Sequence, residues 1–217
     1  MRALFALSIA TTAGVIAGCT ASLPAPTAEE VRTRYIEVAL ECEFGQCPDG
    51  AVLPAGPVSL AITGDPREDQ VRAVTEAVGQ WNTACTRFPI TLDGPAVVPM
   101  EVIFWPQDDL DSVLEVYIEG NSGFFNYDWN ALGEITAITV GIASELDGRQ
   151  LRHFVLEEIT QSLGLKNDVS DPNSIFDSGT SAHATYSQMD RQIISLHCSP
   201  NIIAGVKAAE VPLPQVQ

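Results

Sequence analysis

Residues 149–163, RQLRHFVLEEITQSL, constrain the fold more than any other stretch of the chain. At about 100° per residue, Leu151, Val155, Leu156, Ile159 and Leu163 fall on one side of a helix. His153, Glu157, Gln161 and Gly164 fall within about 80° on the other side, with Glu158 beside them. A helix written this way buries one side in a core and turns the other to a cleft or to solvent. Asp147 is the expected cap, Arg149–Leu163 the expected span, and Gly164 the stop, where a sharp turn is free of the cost a Cβ would bring.

The elements around it read as a mixed fold. Thr27-Ala28-Glu29-Glu30 is a capping box, so a helix runs to Leu40. Pro57 to Thr63 has strand composition. Asp65-Pro66-Arg67-Glu68 predicts a cap at Asp65 and Pro66 in the first turn of a second helix, with Val71, Val74, Val78 and Trp81 as its buried stripe. Phe88–Leu92, Met100–Trp105 and Glu134–Ala143 read as strands, and Asp108–Ile118 as a short helix. Residues 119–133 form a loop or hairpin rich in aromatics (Phe124, Phe125, Tyr127 and Trp129), which pack onto the core or line a groove. Residues 166–186 look irregular, and Ser187 to Asp190 is another capping box, opening a helix that ends near His197. The expected fold class is α+β: a twisted mixed sheet with packed helices and a cleft above the Arg149–Leu163 helix.

The chain opens MRALFALSIATTAGVIAGC, a secretory signal too short and too abruptly ended to span a membrane. Val15-Ile16-Ala17-Gly18-Cys19 looks like the lipobox of bacterial lipoproteins, which implies cleavage before Cys19 and a lipid on that residue. Thr20 in second place goes with outer-membrane sorting in such lipoproteins, and the expected location is the periplasmic face of the outer membrane. The expected organisation is a signal peptide over 1–18, a lipidated tether over 19–26 and an N-terminal helix with a Cys loop over 27–56. The main α+β domain over 57–200 comes next, and a partly extended tail over 201–217 ends the chain. Cys42, Cys47, Cys85 and Cys198 make an even number in an exported chain, hence two disulfides with three connectivities; the favoured pairs are Cys42–Cys47 and Cys85–Cys198. A net charge of −17, from 11 Lys and Arg against 28 Asp and Glu, argues against nucleic acid and against contact with anionic lipid beyond the anchor.

This helix and the segment after it resemble the metzincin zinc-peptidase pattern H-E-x-x-H-x-x-G-x-x-H in spacing throughout. Glu157 stands at the first His, Glu158 at the general base, Gln161 at the second His, Gly164 at the turn glycine and Asn167 at the third His. Residues 170–176, SDPNSIF, resemble the loop into the methionine turn, with Phe176 where the Met would be. E-E-x-T-Q-x-L-G-L-x-N-D, then S-I-F-D and D-R-x-I-I-x-L, is also similar to a bacterial family catalogued as domain of unknown function 2927. That likeness is specific over 151–200 and looser back to Pro57.

The substitutions decide the expected chemistry. A catalytic zinc takes three good ligands and keeps an open position for water, whereas these places offer a carboxylate and two carboxamides. No metal or other cofactor is expected, and Glu158 has no acidified water to deprotonate. Asp168, Asp171 and Asp177 miss the EF-hand spacing and suit Asx turns, and His153 reads as a lone surface residue. The expected function is a lipid-anchored, non-catalytic module that binds a peptide or a wall-derived ligand through Glu157, Glu158, Gln161, Asn167 and Asp168. Two alternatives stand beside it: a hydrolase using Glu157 and Glu158 or a harder metal, with Glu158 catalytic, and an assembly factor docking through Phe124, Phe125 and Trp129.

Overall fold

The computed structural model describes residues 25–41, 48–95, 97–114, 117–179 and 183–215. Helix α1 (Ala28–Leu40) opens as expected: the Thr27 hydroxyl accepts from the Glu30 amide at 3.3 Å, and the Glu30 carboxylate accepts from the Thr27 amide at 2.7 Å. Strand β1 (Leu53–Pro54) and strand β2 (Val58–Thr63) come next. Helix α2 (Glu68–Ala84) starts later than the Asp65 cap predicts. Asp65 sits at φ 54° in the turn that leaves β2, and it is the Gln70 side chain that accepts from the Arg67 amide at 2.7 Å. Arg67 in turn donates to the carbonyls of Ser144 and Leu146, so α2 is pinned to the far end of the sheet. Its buried stripe is Ala73, Val74, Ala77, Val78 and Trp81; Val71 is exposed, against expectation.

Strands β3 (Ile90–Leu92), β4 (Val98–Trp105), β5 (Gly123–Trp129) and β6 (Glu134–Ala143) complete one sheet. The order is β1-β6-β4-β2-β3, all parallel, and β5 pairs antiparallel with β6. Helix α3 (Gly148–Gln161) then packs beside α2 and against β5 and β6, and helix α4 (Gln188–His197) packs on α1. The result is α+β with a mostly parallel mixed sheet. β4 alternates buried and outward residues, with Val98, Met100, Val102 and Phe104 on the helix side. The core runs without a break from Val31 of α1 through the sheet to Val211, so α1 and the tail share it with the strands.

The opposite face carries a small second cluster of Leu110, Leu114 and Ala143, joined by Tyr117 and Phe124. A 3-10 turn at Gln107–Ser112 stands there in place of the predicted helix over 108–118. Asp108, Asp109 and Asp111 favour turns over helix interiors, and Ser112 bonds back to the Asp109 carbonyl at 2.6 Å. Among the described residues no helix is long and apolar enough to cross a membrane.

Cys85 and Cys198 form a disulfide between the ends of α2 and α4, with a Cα separation of 5.6 Å. Cys19, Cys42 and Cys47 lie outside the described residues. Beside this bridge the ring of His197 is fully buried: its Nε2–H donates to the Leu163 carbonyl at 3.0 Å, and its Nδ1 accepts from the Tyr35 hydroxyl at 3.3 Å. Burial pushes its pKa down to about 4. The unfolded chain therefore binds a proton from about pH 6.5 downward while the folded chain does not. This contribution to stability is present in full above pH 6.5 and falls away as the pH drops towards 4, by about 3 kcal/mol. Thermal unfolding between pH 7 and 4 checks it: His197→Gln should start less stable than the wild type but show a flatter profile in this window.

Candidate functional site

Side chains on the polar side of α3 meet Asp168, the His183 carbonyl and the start of β5, so the predicted open stripe is in fact interior. His153, Glu157, Glu158 and Gln161 are all buried. His153, expected as a lone surface residue, is one half of a pair: its Nε2 lies 3.1 Å from Glu157 Oε2. Its Nδ1–H donates to the His183 carbonyl at 2.9 Å, so one proton must bridge the imidazole and the Glu157 carboxyl. Burial pushes the His153 pKa down, while the His183 carbonyl and the Asp168 and Asp177 carboxylates oppose that shift. One turn further on, Gln161 Nε2 donates to Asp168 Oδ1 at 2.6 Å. Burial raises the Asp168 pKa; the Gln161 amide and His153 pull it back, while Asp177 adds to the rise.

Asn167 does not join this group. Its side chain donates to the Glu37 carbonyl of α1 at 3.0 Å, and its amide donates to the Val38 carbonyl at 2.9 Å. Lys166 beside it reaches the Ala39 carbonyl, and burial lowers its pKa to about 8. These two residues close the carboxyl end of α1, which has no basic residue in its own last turn. The third place of the zinc pattern thus serves helix packing, and Asp168 is the neighbour that turns inward.

Glu158 faces another way. A Cβ on Gly123 would lie 2.7 Å from Glu158 Oε1, so the carboxylate occupies the space a side chain at the start of β5 would fill. Sequence reasoning missed Gly123; the one signal for it was a glycine directly ahead of an aromatic run. Glu157 and Glu158 are therefore engaged with different elements. Among the described residues, the one buried side-chain nitrogen or oxygen without a partner is Ser199 Oγ, far along the chain from this group. The stripe is a satisfied interior network.

The loop beyond is held as sharply. Asp190, fully buried in α4, accepts from Ser174 Oγ at 2.6 Å, the Ser187 amide at 2.8 Å and the Ile175 amide at 3.2 Å. Asp171 accepts from the Asn173 amide, an Asx-type turn bond, whereas Asp177 accepts from the Asp171 amide six residues before it and so ties the loop across its ends.

The aromatics of the 119–133 segment lie on β5 of the β5–β6 hairpin. Ala143 donates to the Ser122 carbonyl at 2.8 Å, so in antiparallel alternation Phe124, Asn126 and Asp128 bond β6, while Gly123, Phe125 and Tyr127 direct their backbone groups outward. Phe125 and Tyr127 stack at 5.8 Å on the main core, Phe124 enters the second cluster, and Trp129 meets Tyr127 edge-on at 5.7 Å with its far side exposed. Among the described residues no strand pairs with the outer edge of β5.

The chain presents a poor seat for zinc: the Gln161 amide is engaged by Asp168, the Asn167 amide points to α1, and Glu157 is paired with His153. Among the described residues no three His, Cys, Asp or Glu side chains are grouped to hold a metal. Compared with known families, residues 28–214 match the model described as "Protein of unknown function (DUF2927)". No curated protein matches the chain.

Proposed function

We propose that this chain, which belongs to the DUF2927 family, is a lipid-anchored cell-envelope protein whose peptidase-like, metzincin-related domain lacks the zinc ligands and binds extended polypeptide without cleaving it. The observation that carries this reading is the use made of the three ligand places. Glu157 is paired with His153, Gln161 bonded to Asp168 and Asn167 bonded to α1, so the positions that would feed a hydrolytic metal are spent on holding the fold. The lipid would sit on Cys19, with residues 20–26 as the tether into α1, on the periplasmic face of the outer membrane.

With the stripe buried, ligand contacts pass to β5. Its outward amides suit an added strand, which would share the Phe125 carbonyl with the Asn126 side chain that now donates to it at 2.9 Å, and Trp129 offers an exposed aromatic surface at the end of the row. Glu158, packed against Gly123, fixes the start of that edge. Two measurements test the proposal together. Protein purified without chelator should carry only substoichiometric zinc, and wild type and Glu158→Gln should be equally inactive across a peptide panel. Hydrogen exchange at Phe125 and Tyr127 should slow when an unfolded, carboxymethylated polypeptide is added. Stoichiometric zinc at α3, or cleavage that vanishes in Glu158→Gln, overturns the non-catalytic reading; unchanged exchange overturns the binding edge.

A further inference from the structure

On the far side of α2 from the sheet lies a groove of about 610 Å3, bounded by α2, by Arg152 of α3, by residues 184–186 and by Arg191 of α4. Its size is that of a small-ligand site. The floor is one face of α2, where Glu76, Gln80 and Ala84 succeed one another every four residues with Gly79 and Thr83 beside them. Gly79 has no packing reason to be glycine: a Cβ built there meets nothing within 4 Å, and its φ is ordinary. A glycine in mid-helix costs about 1 kcal/mol against alanine. What the missing side chain leaves is room in the groove.

The charge here runs against the rest of the chain. With 11 Lys and Arg against 28 Asp and Glu overall, two guanidinium groups look onto this one groove, and a single carboxylate, Glu76, shares its lining. Among the described residues no ion pair engages Arg152 or Arg191; Arg191 donates to the Tyr186 carbonyl at 2.7 Å, which holds it in place. Gln80 is fixed in the same way, donating to the Ala184 carbonyl at 3.0 Å.

We infer that the groove is a binding site for a small ligand with a monoanionic carboxylate head on a compact apolar body, such as the free carboxyl end of a peptide of small residues. The guanidinium forks match a carboxylate in geometry, and the Gly79, Ala84 and Ala184 surface leaves room beside them for a compact apolar body. A phosphate dianion shares the anionic chemistry but meets the Glu76 carboxylate and the field of a chain of net charge −17 with twice the repulsion. The site is separate from the β5 edge and does not depend on it.

Calorimetric titration of the disulfide-bonded protein with acetyl-alanyl-alanine, its carboxamide and inorganic phosphate tests the inference. The acid should bind saturably, and the carboxamide and phosphate at least about tenfold more weakly. Arg152→Gln should weaken the acid by about tenfold while leaving the fold intact, since the side chain is exposed and no ion pair among the described residues engages it. Gly79→Leu should abolish binding while keeping or raising the melting temperature, which a merely structural glycine would not do. Equal binding of acid and carboxamide, tighter binding of phosphate, or full binding by either variant overturns the assignment.

Discussion

Gly164→Ala is expected to cost about 4 kcal/mol of stability, enough to unfold a large share of a marginally stable protein. Two costs combine at this position. The backbone stands at φ 110°, where a side chain is strained by about 1–2 kcal/mol. The added Cβ would also lie 2.2 Å from the Val52 carbonyl oxygen and 3.1 Å from His197 Cε1. Val52 is fully buried and leads into β1, so relief requires moving backbone, not rotating a flexible side chain. Gly79→Ala is the matched control, because open space surrounds that position and alanine there should be neutral or stabilising. Denaturant unfolding of both variants beside the wild type measures the difference. A loss at Gly164 below about 1 kcal/mol would show that the close approach to Val52 is absent in solution.

The second large effect is that of the Cys85–Cys198 bridge. Its partners are 113 residues apart in sequence, so it closes a loop that includes most of the sheet and α3. Chain entropy over such a loop is worth about 4–5 kcal/mol. For a chain of this size that corresponds to a fall in melting temperature of roughly 10–15 °C. Replacing both cysteines with alanine should show this fall in a thermal scan. Reductant added to the native protein should act slowly, because Cys85 is fully buried. A double variant that melts within about 3 °C of the wild type would mean that the unfolded chain is already restrained in that region.

Much of the framework was legible in the residues, and the reasons differ by element. α1 and α4 carry reciprocal capping boxes, Thr27 with Glu30 and Ser187 with Asp190, which bond locally and need no tertiary information. The Cys85–Cys198 pairing followed from both residues standing at helix ends. The azimuth of Glu157 and Gln161 on α3 was also readable, since it depends on 3.6-residue geometry alone. Their burial was not, because it depends on partners outside the helix, such as Asp168 for Gln161 and His183 for the His153 ring that pairs with Glu157. His153 was misread for the same cause: its partner Glu157 is one turn away, but the carbonyl that orients its ring comes from His183, thirty residues on. Asn167 shows the limit of motif spacing most plainly. Spacing along the chain says nothing of its direction, which is decided by the unfilled carbonyls of α1 that no local pattern reveals. β5 was left open between loop and hairpin because Phe124 and Phe125 are neighbours in sequence and both pack inward, one into each of two separate clusters.

The fastening of the first helix has a mechanical outcome. Three successive carbonyls at its carboxyl end, those of Glu37, Val38 and Ala39, are gripped by Asn167 and Lys166, and nearer its start Arg32 clasps the carbonyls of Ala208 and Val211. A pull applied at residue 25 therefore meets clamps at both ends of a rigid rod before it reaches any strand. Load is shared between the turn after α3 and the closing segment of the chain, so the described body should follow such a pull as one piece instead of peeling open from that end.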